Sequence, residues 1–273
     1  MYRKGKVLQK LALFLLNLEQ SYNNRQGRMK SHLKVHYFQH IAGEGFGSCY
    51  SLFKQHQAQI TATEFFALPL DQSLDVEALP NIYDVDLLII MGGTMSVNDE
   101  VNFPWLKIEK RWLRRYLAMG KPAIGLCLGG QLIANALGAT VSRNHQQELG
   151  WTAVRKVDHK VMDCFELPVE FSVMQWHSET FDLPKGAIHL AENDVCRNQM
   201  YQIGKNVLGF QFHPEITPET LSLYLENDEE LDHFKQHYLQ VEQQLKTASK
   251  HNFIQGNQIL NQAIEYVLEK TAC

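Results

Sequence analysis

An α/β fold, three-layered around a mostly parallel central sheet, is what this sequence predicts on three observations. Short apolar runs alternate with helix-length amphipathic segments from residue 33 to residue 137. The connections between them are brief and punctuated by glycine. Some runs, above all Asp86–Met91, lack polar alternation, as a strand buried on both faces should.

The elements follow in order. Leu33–Phe38 reads as a strand, the Gly43-Glu44-Gly45-Phe46-Gly47 stretch as a loop, and Ser48–His56 as a helix. Ile60–Phe66 and Asp86–Met91 are the next strands, the latter running into Gly92-Gly93. Trp105–Met119 is an amphipathic helix through Leu106, Ile108, Trp112, Leu113 and Leu117, stopped by Gly120. Pro122–Leu126 is a strand leading to Cys127, and Leu128–Leu137 is a helix stopped by Gly138. Strand-like pieces then crowd together at Thr152–Val157, Glu170–Met174, Ala187–Ala191, Val195–Tyr201 and Val207–Phe212. Turn signals at Pro168, Pro184-Lys185-Gly186 and Gly204-Lys205 separate them. This half reads as a small antiparallel extension that finally returns a strand to the main sheet. From Pro218 onward the chain is helical and polar, and its end reads as a tail at a solvated edge or an interface. The expected organisation is an N-terminal extension (1–28), a main domain (29–226) and a helical C-terminal tail (227–273). Met29 is a candidate translation start.

Bulk properties narrow the function. The chain has 273 residues, 45% of them hydrophobic and 21% charged, enough for a full core. A formal net charge of −4 offers no basic surplus for phosphate, which argues against nucleic acid as a partner. No run approaches the ~20 apolar residues of a membrane span. The patch Leu11–Leu16 is broken by Asn17 and Glu19 and reads as a marginal amphipathic helix rather than a signal peptide. Five dispersed cysteines (49, 127, 164, 196, 273) without a C-x-x-C pair fit a reducing, cytoplasmic compartment better than a disulfide framework. They and the scattered histidines give no metal-ligand spacing, so neither metal nor other cofactor is expected.

Ligands bind beyond the C-terminal ends of strands in open α/β sheets. Three such ends stand out: Gly92-Gly93, Cys127 and His213-Pro214-Glu215. A thiol at a strand-to-helix turn faces a helix N-terminus, which favours a thiolate and supplies N–H groups for an oxyanion. The plainer alternative is a buried cysteine ending a core strand, although its flanking glycines ask for a further reason. A cysteine nucleophile needs a base, and the base needs an orienting group. His213 and Glu215, two apart in extended backbone, point to one face and can supply both. The N–H groups of Leu128 and Gly93 are the natural oxyanion donors, although Gly92-Gly93 alone would read as a tight turn. Gln131, four residues past Cys127 on the same helix face, either presents its amide to a substrate or caps nearby backbone.

The segments Gly125-x-Cys127-x-Gly129-x-Gln131, Met91-Gly92-Gly93 and Phe212-His213-Pro214-Glu215 together resemble the class I, triad-type glutamine amidotransferases. Gly45-Phe46-Gly47-Ser48, Glu148-Leu149-Gly150-Trp151 and Gln175-Trp176-His177-Ser178-Glu179-Thr180-Phe181 are similar to the stand-alone, GMP synthase-like subgroup. The resemblance spans roughly Leu33 to Leu225 and implies a flavodoxin-like sheet. It implies hydrolysis of the glutamine γ-amide through a γ-glutamyl thioester on Cys127. His213 would move the proton, Glu215 would orient it, and Gly93 and Leu128 would bind the oxyanion. Gln131 and the backbone around His177, Ser178 and Glu179 would hold the substrate's α-amino and carboxylate ends. His177 equally reads as a packing residue. Thr94 departs from the proline many members carry after the two glycines. The sequence holds neither a Gly-x-x-x-x-Gly-Lys-[Ser/Thr] loop nor a Ser-Gly-Gly-x-Asp-Ser loop. Any synthase chemistry therefore belongs to a possible separate synthase subunit. The alternative enzyme is a γ-glutamyl peptide or amide hydrolase, and the alternative outside enzymes is a non-catalytic binding module.

Overall fold

The computed structural model describes residues 33–68, 78–159, 161, 163–227, 245 and 247–269. Residues 1–28, Met29 and Cys273 lie outside the described residues. The parallel half of the sheet is built from β1 (Lys34–Gln39), β2 (Gln59–Glu64), β3 (Leu87–Ile90), β4 (Ala123–Leu126) and β9 (Val207–Phe210). The other half comprises β5 (Val141–Lys156), β6 (Glu170–Phe181), β7 (Ile188–Glu192) and β8 (Met200–Ile203). All nine strands join in the order β2-β1-β3-β4-β9-β8-β7-β5-β6. The described helices are α1 (Cys49–Gln55), α2 (Trp105–Ala118), α3 (Leu128–Ala136), α4 (Pro218–Asn227) and α5 (Lys250–Glu269), with short 3₁₀ turns at Phe65–Ala67 and Ile82–Asp84.

The sheet is not mostly parallel. Its β2-β1-β3-β4-β9 pairings are parallel, and the β9-β8-β7-β5-β6 pairings are antiparallel. The expected small extension is thus half of the sheet. Its size was hidden because β5 is largely exposed, so Ser142–Gln147 carries no apolar periodicity. β6 likewise continues through Gln175–Phe181, pairing with β5 up to Val141↔Phe181. The His177 segment is therefore strand, not loop. The expected strand Val195–Tyr201 begins only at Met200, because Asn193 Oδ1 accepts the N–H groups of Val195 and Cys196 in a turn.

Both faces of the central parallel strands β3, β4 and β9 are buried, while β2 at the edge is exposed. Leu87 and Ile89 of β3 join one core cluster, while Leu88 and Ile90 join the other, following the two-residue period of a strand. The second cluster includes Trp112, Leu113 and Tyr116 of α2 and Leu132 and Ile133 of α3. The first is closed by α5, which corrects the reading of the polar tail as a solvated edge. Ile259, Leu260, Ala263, Ile264 and Val267 of α5 are buried with Phe210 and Phe212. Their i, i+3, i+4 spacing is a narrow apolar stripe on a helix otherwise rich in Gln and Asn, so bulk polarity concealed it.

Candidate active site

Cys127 ends β4 and caps α3 with φ 49° and ψ −108°, a conformation unusual for a residue with a side chain. Its N–H donates to the Phe210 carbonyl of β9 (2.9 Å). Its Sγ lies 3.7 Å from the Trp176 carbonyl of β6. Leu128 is the first residue of α3, where the N–H groups of a helix lack intrahelical partners.

His213 lies just past β9, where its N–H donates to the Met174 carbonyl of β6 (2.9 Å). His213 Nδ1 is 2.8 Å from Glu215 Oε1, and both side chains are buried. The ring borders the same cavity as the Cys127 thiol. Burial pulls the His213 pKa down, but Glu215 and Cys127 outweigh it and hold the imidazole well above its ordinary value. Tyr224 of α4 donates its hydroxyl to Glu215 Oε1 (3.4 Å). Asn257 of α5 donates to the carbonyls of Pro214 (2.8 Å) and Ile216 (2.9 Å), bracketing Glu215.

Cys127, His213, Gly93, Gln131, His177, Ser178 and Glu179 all border one cavity of about 160 Å³. That size suits a small molecule: an engineered void of similar volume admits benzene. Leu128 and Glu215 are buried beside it rather than on its wall, the first offering backbone and the second standing behind His213. Thr94 and Glu44 also border the cavity.

The His177 ring is not free to meet a substrate. Its Nδ1 faces the Glu179 carbonyl (3.0 Å) and its Nε2 faces Glu148 Oε2 (3.1 Å). Glu148 is held in turn by Asn193 (2.6 Å) and Gln199 (2.7 Å). The Gln131 amide nitrogen donates to the Glu179 carbonyl (3.1 Å) and to Gln211 Oε1 (3.4 Å). The Gln131 amide thus caps backbone. These bonds set the shape of the β6 segment that lines the cavity. Among the described residues, Glu148, His177 and Cys196 place three metal-ligating atoms within 4.8 Å of one another. Each already has a partner in the protein, Cys196 Sγ with Thr180 Oγ1 at 3.2 Å.

Several supporting residues escaped the sequence reading. Gln211 donates Nε2 to Cys127 Sγ (3.8 Å), and its place two residues before His213 on an extended chain was the available signal. His40 and Glu109, beneath Gly92, form a buried pair at 3.1 Å. His40 lies just beyond the C-terminal end of β1, on the rim where ligands bind.

Comparison with known proteins matches residues 49–231 to the family model described as "Glutamine amidotransferase class-I". The glutamine amidotransferase-like protein YfeJ of Salmonella typhimurium is 28% identical over 206 residues, 72% of this chain and 82% of its own. One subunit of the glutamine-hydrolyzing GMP synthase of Picrophilus torridus is 29% identical over 154 residues, 54% of this chain and 79% of its own. The GMP synthase of Borrelia garinii subsp. bavariensis is 29% identical over 131 residues, and the matched part is only 24% of that longer protein. The crystal structure of a glutamine amidotransferase from Thermotoga maritima superposes with a TM-score of 0.73 at 28% identity, covering 87% of this chain and 99% of that one.

Proposed function

This chain belongs to the class-I glutamine amidotransferase family, and from that premise we propose that it hydrolyses the γ-amide of glutamine at Cys127. The observation that carries the reading is the junction of a strained thiol, an imidazole and a carboxylate at one small cavity. His213 first takes up the Cys127 proton, and Sγ then attacks the γ-carbonyl carbon beside the charged ring. The carbonyl oxygen becomes an oxyanion facing the N–H groups of Gly93 and Leu128. As the intermediate collapses, the C–N bond breaks, His213 returns the proton to the leaving nitrogen, and ammonia departs. Water, deprotonated by His213, then attacks the γ-glutamyl thioester and releases glutamate and the free thiol. Glu215 holds the imidazole and favours its charged form between these steps. The β6 backbone at His177–Glu179 forms the shelf for the α-amino and carboxylate ends of the substrate. Ammonia acceptor chemistry belongs to a separate synthase subunit. Similarity to a protein named as one subunit of a glutamine-hydrolyzing GMP synthase supports that division.

The test is ammonia and glutamate release by the purified chain, run in parallel on glutamine and on a panel of γ-glutamyl peptides and amines. Turnover of glutamine at the highest kcat/KM of the panel supports the reading. Hydrolysis of γ-glutamyl peptides far above glutamine would replace it with the peptide-hydrolase alternative.

A further inference from the structure

We propose that His40 and Glu109 are positioning residues that fix the Gly92–Gly93 peptide so that its N–H points at the developing oxyanion. The inference rests on the glutaminase reading above and adds the part of the protein that aims one of its two oxyanion donors.

The geometry begins at the carbonyl of Gly92, which accepts a hydrogen bond from His40 Nδ1 at 2.9 Å. In a planar trans peptide the C=O and the following N–H point in opposite directions. Anchoring the Gly92 oxygen on His40 therefore turns the Gly93 N–H the other way. Gly93 borders the cavity that holds Cys127, whereas His40 is buried beneath it. Without that anchor the peptide plane is free to rotate, because two glycines in succession impose little on φ and ψ.

The imidazole is itself immobilised. Its Nε2 meets Glu109 Oε1 at 3.1 Å, and neither side chain is exposed to solvent. The ring packs against Phe65 (centroids 5.4 Å apart, planes at 8°) and Trp105 (5.5 Å, 20°), which also contact each other at 4.7 Å. Both ring nitrogens face oxygen acceptors, an arrangement that uses two ring protons. Burial works against that charged form, but Glu109, the Gly92 carbonyl and Glu44 outweigh it, and the His40 pKa is raised. A charged donor makes a shorter, stronger bond to a carbonyl than a neutral one. A buried ion pair is weak as a device for stability, since apolar residues of similar volume often serve as well. Its place beneath the glycine turn fits a role in orienting that turn.

The decisive variant is the double substitution His40→Leu, Glu109→Leu, which removes ring and carboxylate together and leaves no unpaired buried charge. Three quantities are compared with wild type: kcat for glutamine, KM for glutamine, and the rate at which iodoacetamide alkylates Cys127. Alkylation displaces iodide from a saturated carbon and forms no oxyanion, so it reports the thiol without the Gly93 donor. Losing an oxyanion donor outright costs about 10²–10³ in rate, and misorienting one costs less. The expected result is a kcat lower by about 10- to 100-fold, KM within threefold, and an unchanged alkylation rate. The single variant Glu109→Gln, which keeps an acceptor for His40 Nε2 but removes the charge that favours the protonated ring, is expected to lower kcat several-fold with KM and alkylation unchanged, and it carries the test should the double variant not fold. An unchanged kcat in the double variant overturns the assignment, as does a parallel fall in kcat and alkylation, which would mark a general structural role. With only Glu109→Gln in hand, an unchanged kcat, or a parallel fall in its kcat and alkylation, overturns it equally. A wild-type chain inert toward glutamine defeats the functional reading, which separates that failure from this one.

Discussion

Substituting Gly129 by alanine tests how the fold places the thiol. Helix α3 starts immediately after Cys127 and presses against β3 through this glycine. A Cβ built there falls 2.1 Å from the Ile90 carbonyl oxygen, 2.7 Å from its carbon and 2.9 Å from Ile90 Cβ, where ordinary contact begins at 3.4 Å. The obstacle is backbone of a strand buried on both faces, so no side chain can rotate aside. The helix must retreat by roughly 1 Å, the shortfall in that contact, and its N-terminus carries Cys127 and Leu128 with it. Forcing a methyl group into a packed core costs about 1–3 kcal/mol. A displacement near 1 Å from reacting geometry costs about 10²-fold in rate. Urea unfolding and steady-state glutamine hydrolysis read the two effects separately. The expected outcome is a lower unfolding midpoint, a kcat reduced by about 10- to 100-fold and a nearly unchanged KM. A Gly129→Ala protein with wild-type stability and kcat would refute the claim that close α3–β3 packing sets the nucleophile.

Two further perturbations follow from the same geometry. Glu215 is a main reason the His213 imidazole stays charged above its ordinary range. In Glu215→Gln that support is gone and the His213 pKa falls, so its proton is lost at lower pH. The alkaline limb of the kcat/KM profile should move to lower pH, and an unmoved or raised limb would contradict the assignment. Asn257→Ala removes two hydrogen bonds to the carbonyls flanking Glu215. It should lower stability by about 1–2 kcal/mol and kcat several-fold. Full activity in Asn257→Ala would show that α5 supports the fold without steadying the catalytic segment.

The residues proposed to carry the chemistry stand out in the sequence, and the residues that hold them do not. Cys127, His213 and Glu215 announce themselves locally, by glycine flanks and by two-residue spacing at strand ends. Their supports act across long stretches of chain: His40 reaches Gly92 and Glu109, His177 reaches Glu148, and Asn257 reaches Pro214. Nothing in local periodicity encodes such pairings. Glu109 nevertheless left a trace, since it lies on the buried stripe of α2 with Leu106 and Leu113. A carboxylate on the apolar face of a helix needs a buried partner. The parallel strands were read to within a residue or two because continuous apolar runs mark double burial. The antiparallel half was underestimated because Ser142–Gln147 of β5 is largely exposed and the buried positions of β6 beyond Met174 include the polar Gln175 and His177, so neither follows an apolar pattern. The α5 stripe was missed because one buried residue in three or four is diluted by the Gln and Asn around it.

The most direct measurement is glutamine turnover in wild type and Cys127→Ala, with acid-quenched protein examined by mass spectrometry during turnover. The account predicts ammonia release by wild type, a γ-glutamyl adduct on the peptide that contains Cys127, and loss of both in the variant. Loss of a nucleophile of this kind is worth on the order of 10⁶-fold in rate. Ammonia release persisting at the wild-type rate in Cys127→Ala would contradict it.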